Sequence, residues 1–233
     1  MKTKNYKGIS LTAAAVFAVV AMVSWNNRSH GQSEPPMADD ILLVRDVPEG
    51  WKSLFDGETL TGWKNVNKGG EDQPFIRNGA LVLPIGTYGI MTGLYWVGDS
   101  LPACNYVVYY EARRIAGNDI FAALTFPYKD TYGSLIFGGW GGIVNGLSSI
   151  GGFDASENET TQFFSLRNNQ WYPVMLRVTN DSIRAIVASE EVIDIATAGK
   201  DIHLRSDILD TGFTLWTYRS SGEIRNLRFK KID

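Results

Sequence analysis

The chain has 233 residues, with 22 basic and 25 acidic side chains, one cysteine and two histidines. A single cysteine excludes an intrachain disulfide, and so few histidines exclude a histidine-built zinc site. Loss of residues 1–31 would remove Lys2, Lys4, Lys7 and Arg28 and no acidic residue, leaving 18 basic against 25 acidic and a net charge of −7. Such a surface repels phosphate backbones, so nucleic acid is excluded as a partner.

The first 31 residues read as a signal peptide. Three lysines precede an apolar run from Leu11 to Trp25, and Ser29-His30-Gly31 offers small residues at a cleavage-compatible place. The run is long enough to leave an uncleaved anchor as the alternative. In both cases the remainder is exported to a periplasmic, cell-surface or extracellular location, with no transmembrane segment beyond that anchor. Residues 32–50, opening QSEPPMADD, read as a linker, and residues 51–233 as one domain large enough for its own core.

Within that domain no segment holds apolar residues at helical spacing for three turns. Short alternating runs recur instead. Pro74 to Arg77, Asn78-Gly79 and Ala80 to Leu83 spell a β-hairpin. Asn105 to Ile115 predicts a long strand, with Tyr106, Val108, Tyr110, Ala112 and Arg114 on one face. Val107, Tyr109, Glu111, Arg113 and Ile115 occupy the other. Further strands are expected at 119–126, 132–138, 162–167, 171–179, 182–188, 212–218 and 223–231, with Asn180-Asp181 as a turn. This spacing predicts an all-β, two-sheet antiparallel sandwich with at most one short helix.

Residues 138–160, GGWGGIVNGLSSIGGFDASENET, hold seven glycines and one tryptophan. Glycines at 138–142 would bare the backbone around Trp140 and leave its ring free to stack on a sugar, facing the same cleft as Arg113. Asp154, Glu157, Asn158 and Glu159 would then supply polar groups at the rim. The alternative is that Trp140 is core and the following loop merely solvated. Glu111 and Arg113, two apart on one strand face, can pair side by side, either on an exposed face or as part of a site. Cys104 reads as a small hydrophobe and His203 as a strand or surface histidine. Two carboxylates near one cleft would suit glycoside hydrolysis. The sequence holds no phosphate loop, Gly-x-Ser-x-Gly elbow or dinucleotide fingerprint, and no EF-hand loop. No cofactor is expected; a structural calcium held by scattered oxygens stays open.

Trp51 to Lys64, WKSLFDGETLTGWK, resembles the opening motif of the family known as DUF1080, the 3-keto-disaccharide hydrolase domain. Gly212 to Phe229 resembles its closing strands, with Arg225-Asn226 in place of the family's Arg-Asn pair, and Glu111, Arg113 and Gly117-Asn118 resemble its middle. The resemblance implies a concanavalin-like jelly roll with glycan sites on a concave sheet, and chemistry on glycosides or their 3-keto forms. It also marks departures. Tyr218 fills the slot of the family's His and Trp216 that of its Gln. Asp119-Ile120 replaces Ser-Gly, and the Tyr-Glu-x-Gln stretch has no counterpart in Gly133 to Gly139. The expected catalytic residues are Glu111, Asp154 and Glu157, with Arg113, Asp119, Trp140, Asn158 and Tyr218 binding substrate. The leading reading is an exported glycoside hydrolase; the alternatives are a non-catalytic glycan-binding module and a structural envelope protein.

Overall fold

The computed structural model describes residues 49–66, 72–87, 91–205 and 212–233. These belong to one compact unit. The expected signal peptide and nearly all of the expected linker lie outside the described residues.

Fifteen strands, numbered along the chain, form two antiparallel sheets, and no α-helix occurs among the described residues. The eight-stranded sheet runs β13 (Glu190–Ala196), β12 (Ser182–Val187), β11 (Tyr172–Val178), β6 (Tyr106–Gly117), β15 (Ser220–Lys231), β4 (Ala80–Leu83) and β3 (Phe75–Arg77), with β1 (Lys52–Ser53) also paired to β15. The seven-stranded sheet runs β10 (Gln162–Phe163), β9 (Val144–Ser148), β8 (Thr131–Gly139), β7 (Ala123–Tyr128), β14 (Thr214–Thr217), β5 (Thr92–Trp96) and β2 (Trp63–Asn65). The jelly-roll sandwich expected from the turn spacing is thereby borne out.

Alternation fixes what each face of β6 buries. Tyr106, Val108, Tyr110 and Ala112 point between the sheets and pack with Leu124, Phe126, Leu135, Phe137 and Leu147 from the other layer. The phenols of this row need acceptors once buried. Tyr110 donates to the Ala122 carbonyl at 2.9 Å and Tyr106 to that of Pro127. Burial pushes both phenols well above their ordinary pKa. Cys104 is free and packs, half-buried, against the same core.

The hairpin at 75–83 stands where the Asn-Gly dipeptide put it, with Asn78 and Gly79 both at positive φ. Two expected strands shrink. The segment 119–122 is a loop: the Asp119 carbonyl accepts from the Arg114 and Ser220 side chains, and that of Ile120 from the Thr217 hydroxyl and the Tyr218 amide. The run 162–167 pairs only at Gln162 and Phe163, because Asn145 takes the Phe164 carbonyl and Arg114 that of Leu166. The glycine-rich stretch, read as open backbone and loop, contains β9, which pairs with β8 and β10. Several of its glycines are steric necessities. A Cβ on Gly138, at φ +67°, would lie 2.9 Å from Phe121, and one on Gly142, at φ +101°, 3.1 Å from the Asn118 carbonyl.

Candidate functional site

Three motif segments meet on the outer face of the eight-stranded sheet. In the turn after Phe55, Asp56 accepts the Glu58 and Thr59 amides at 2.8 and 2.7 Å and the Thr59 hydroxyl at 2.7 Å. These bonds, the Thr59 amide foremost, hold the Asp56 carboxyl below its ordinary pKa. They explain why Asp-Gly-x-Thr is one unit. Trp63 closes the turn from below, its indole donating to the Leu54 carbonyl at 2.7 Å. A pocket of about 280 Å³ beside it is lined by Phe55, Asp56, Gly57, Glu58, Gly79 and Asn226.

Across β6 and β15 the charges form a checkerboard. Register sets Arg113 opposite Glu223 and Glu111 opposite Arg225. Glu223 is 1 % exposed and takes both Arg77, at 2.6 Å, and Arg113. Glu111 accepts from Arg225 at 2.6 Å, Asn226 at 2.9 Å and Tyr109 at 3.3 Å. The guanidiniums of Arg113 and Arg225 lie 4.6 and 4.2 Å from the centre of the Trp171 ring. Both oxygens of Glu111 are thus engaged. The inward arginine of β6 is Arg114, buried over Phe121 and bonded to Asn168 and to the Asp119 and Leu166 carbonyls.

The outer face of the seven-stranded sheet is different in kind. Trp216, Ala123, Ile136 and Val144 form a second apolar cluster with Val66, Ile120 and Ala155, and Met91, Tyr95, Leu204 and Tyr218 pack at its margin. Between them run buried hydroxyls. Thr125 and Ser134 lie 2.8 Å apart, and the Trp216 indole donates to Thr125 at 3.1 Å. Ser148 donates to Asp154 at 2.9 Å, the Ala155 amide donates to the same carboxylate oxygen at 2.6 Å, and Arg205 pairs with its other oxygen. Leu204 and Arg205 reach this face because residues 201–203 run beside 149–151, joined by bonds between Ser149 and His203 and between Gly151 and Asp201. Trp216, Thr125, Ser134 and Ser148 are buried, and the half-exposed groups at the margin, Tyr95, Tyr218 and Arg205 beside Asp154, are of the kinds that a sugar ring calls for.

These two faces belong to different layers, and that decides the fate of the expected site. Arg113 and Glu111 stand on the eight-stranded sheet. Trp140 stands in the β8–β9 turn of the other, so Arg113 and Trp140 do not share the cleft expected for them. Asp154 and Tyr218 lie at the outer face of the seven-stranded sheet. Glu157 is exposed on the adjoining loop, and Glu159 pairs with Lys200 at 2.6 Å. Asn158 pins that loop, donating to the Leu147, Phe153 and Asp154 carbonyls and accepting from the Thr160 amide and hydroxyl. Asp119 caps the β6–β7 loop, its carboxylate accepting the Ile120 amide. Arg205 and Trp171 were not singled out in the sequence. The two guanidiniums that could have flagged Trp171 sit 58 and 54 residues away along the chain. His203 is half-buried, with Nδ1 3.2 Å from Asp201. Among the described residues no group of three or more His, Cys, Asp or Glu could hold a metal ion, and no helix is long and apolar enough to cross a membrane.

The model of the 3-keto-alpha-glucoside-1,2-lyase-like domain matches residues 50–233. The chain belongs to that family. Among solved structures, a candidate glycosyl hydrolase from Parabacteroides distasonis superposes with a TM-score of 0.52 at 16% identity, covering 79% of this chain and 95% of that one. The Crh5 transglycosylase in complex with NAG gives 0.58 at 7% identity, covering 79% and 85%. At these identities the likeness is one of fold. No curated protein sequence matches the chain. In the lyase-like domain the opening motif runs from β1 of the eight-stranded sheet to β2 of the seven-stranded one, and the closing segment from β14 to β15, so both motifs tie the two layers together.

Proposed function

We propose that this member of the lyase-like family takes a 3-keto-glycoside at the outer face of its seven-stranded sheet and cleaves it with Asp154 as the base. The observation that carries the reading is the Asp154–Arg205 pair set against Ser148 and the Trp216 cluster. Cleavage of an unmodified glycoside calls for two carboxylates flanking the bond. A ketone at C3 changes the requirement, because it acidifies the hydrogen on C2. One base removes that proton, the electron pair forms an enolate across C2 and C3, and its collapse expels the group on C1 with its glycosidic oxygen. Arg205, already beside the carboxylate, is placed to bear the enolate charge. Water then adds across the C1–C2 double bond to give the free 3-keto sugar, so the sum is hydrolysis.

The test compares glucosides with their 3-keto forms. The 3-keto forms alone should be cleaved, and Asp154→Asn should slow cleavage by about 10²–10⁴-fold in a protein that stays folded, its melting temperature lowered by the loss of the paired carboxylate. Equal cleavage of both substrate forms would refute the reading. A second reading, glycan binding without turnover, draws on Trp216, which fills the slot of the family's Gln and is bonded to Thr125. Retention of 3-keto sugars without products would select it.

A further inference from the structure

The proposed cleavage leaves one proton unassigned. Asp154 takes the hydrogen from C2, but the oxygen that departs from C1 is a strong base unless it is protonated as it leaves. A second acid–base group must therefore stand near the Asp154–Arg205 pair, and histidine is the side chain most often used for that work. His203 is the only histidine beyond residue 30.

His203 lies on the segment that delivers Arg205. Ile150 pairs with Ile202, and both are buried in the core between the sheets. Alternation therefore turns Asp201 and His203, on either side of Ile202, to the outer face. Ser149 fixes the backbone there: its amide and its hydroxyl both donate to the His203 carbonyl at 3.1 Å, and the His203 amide donates to the Ser149 carbonyl at 3.4 Å. The preceding residue, Ser148, is the one whose hydroxyl holds Asp154. Arg205, two residues beyond His203, pairs with the same carboxylate. Two residues of chain span at most roughly 7 Å, so the imidazole stands one side-chain step from the pair. The His203 side chain is 41% exposed and that of Arg205 38%, so one ligand can touch both. The ring nitrogens are already divided. Nδ1 lies 3.2 Å from the Asp201 carboxylate, an acceptor, and so carries a hydrogen. No hydrogen bond to Nε2 occurs among the described residues.

We infer that His203 is the acid of the reaction, giving its Nε2 proton to the glycosidic oxygen. This rests on the proposed cleavage with Asp154 as base. As the C1–O bond breaks, the O–H bond forms, the electron pair of the enolate moves to the C1–C2 bond and C3 regains its carbonyl. Neutral His203 and protonated Asp154 are left. When water adds, Nε2 takes a proton from the water that attacks C1, and Asp154 returns its own to C2, so both groups are restored. Asp201 holds Nδ1 and steadies the imidazolium. With such an acid the departing group can be an unactivated alcohol, such as a second sugar.

The experiment measures release of the alcohol, as kcat/KM of the full-length protein, from the 3-keto forms of a nitrophenyl and a methyl glucoside. Nitrophenolate leaves without a proton, whereas methoxide needs one. His203→Gln should slow the methyl substrate about 10²-fold and leave the nitrophenyl one nearly unchanged. Asp201→Asn should show the same split to a smaller extent, while Asp154→Asn should slow both substrates alike. If His203→Gln cleaves the methyl substrate at the wild-type rate, or slows both substrates equally, His203 is not the acid and the reading with Asp154 as base stands. If the wild type cleaves neither 3-keto substrate, that reading fails and the inference falls with it.

Discussion

Glu223 offers a sharp test of the checkerboard on the eight-stranded sheet. It is 1 % exposed, and its two oxygens hold Arg113 from the neighbouring strand β6 and Arg77 from β3, one strand beyond β4. Replacing it with alanine leaves two guanidiniums without their shared anion. Removing one partner of a fully buried pair costs about 3–5 kcal/mol. Arg77 is 48 % exposed and Arg113 31 %, so both can recover water. That solvation lowers the expected cost of Glu223→Ala to about 2–3 kcal/mol. For a domain of this size the loss corresponds to a fall in melting temperature of roughly 5–10 °C. Glu223→Gln keeps the shape and an acceptor, and should lose about half as much. Thermal melts followed by circular dichroism, with urea titrations, would read both. A double-mutant cycle with Arg113→Ala should show coupling of at least about 1 kcal/mol. If Glu223→Ala melts within about 1 °C of the wild type, or the cycle is additive, the network contributes nothing to stability and the reasoning falls.

The remaining expectations concern backbone and pH. Gly138→Ala should destabilise by about 2 kcal/mol or more, since it combines a positive φ with a contact at 2.9 Å to Phe121. Gly141→Ala, at positive φ but in open space, should cost about 1 kcal/mol, and equal losses in urea titrations would refute the steric account. Tyr109 has its pKa raised to about 12, by burial first and then by Glu111. A raised phenol adds stability that is complete below the unfolded value near 10 and drains away as pH rises through 10 to 12. Tyr109→Phe should therefore flatten the loss of stability over that window, which unfolding curves at stepped pH would show.

The fold was legible wherever turn chemistry and alternation agreed, as at Asn78-Gly79 and along Tyr106 to Ala112. It was illegible at β9, because glycine at 146 breaks the apolar rhythm; a Cβ there would lie 2.8 Å from the Thr160 carbonyl. The family resemblance, carried by the Asp56 turn, Trp63 and the Arg225-Asn226 pair, holds over residues 50–233. The site was less readable. A period of two shows that Glu111 and Arg113 share a face, yet it cannot say which face turns outward. That depends on the neighbours, and Tyr106, Tyr110 and Ala112 claim the interior. The same alternation put Arg114 on the face of Tyr110 and Ala112, and since that face turns inward Arg114 is the arginine that plugs the layer between the sheets. Asp154 drew notice through its cluster of acidic neighbours, but its partner Arg205 lies 51 residues on, beyond any local pattern.

The order of the strands also constrains how the molecule comes into being. β14 stands between β7 and β5, and β15 between β6 and β4, so the two latest strands fill interior places in both layers. Neither layer can close while those residues are still within the ribosome, whatever has been synthesised before them. The earlier strands must wait with their ladders open, and the long-range pairing of β15 with β6 makes the final step slow. A nascent chain of this kind keeps both layers open until β15 has left the ribosome, and through that interval its unpaired strand edges are exposed to one another and to other chains.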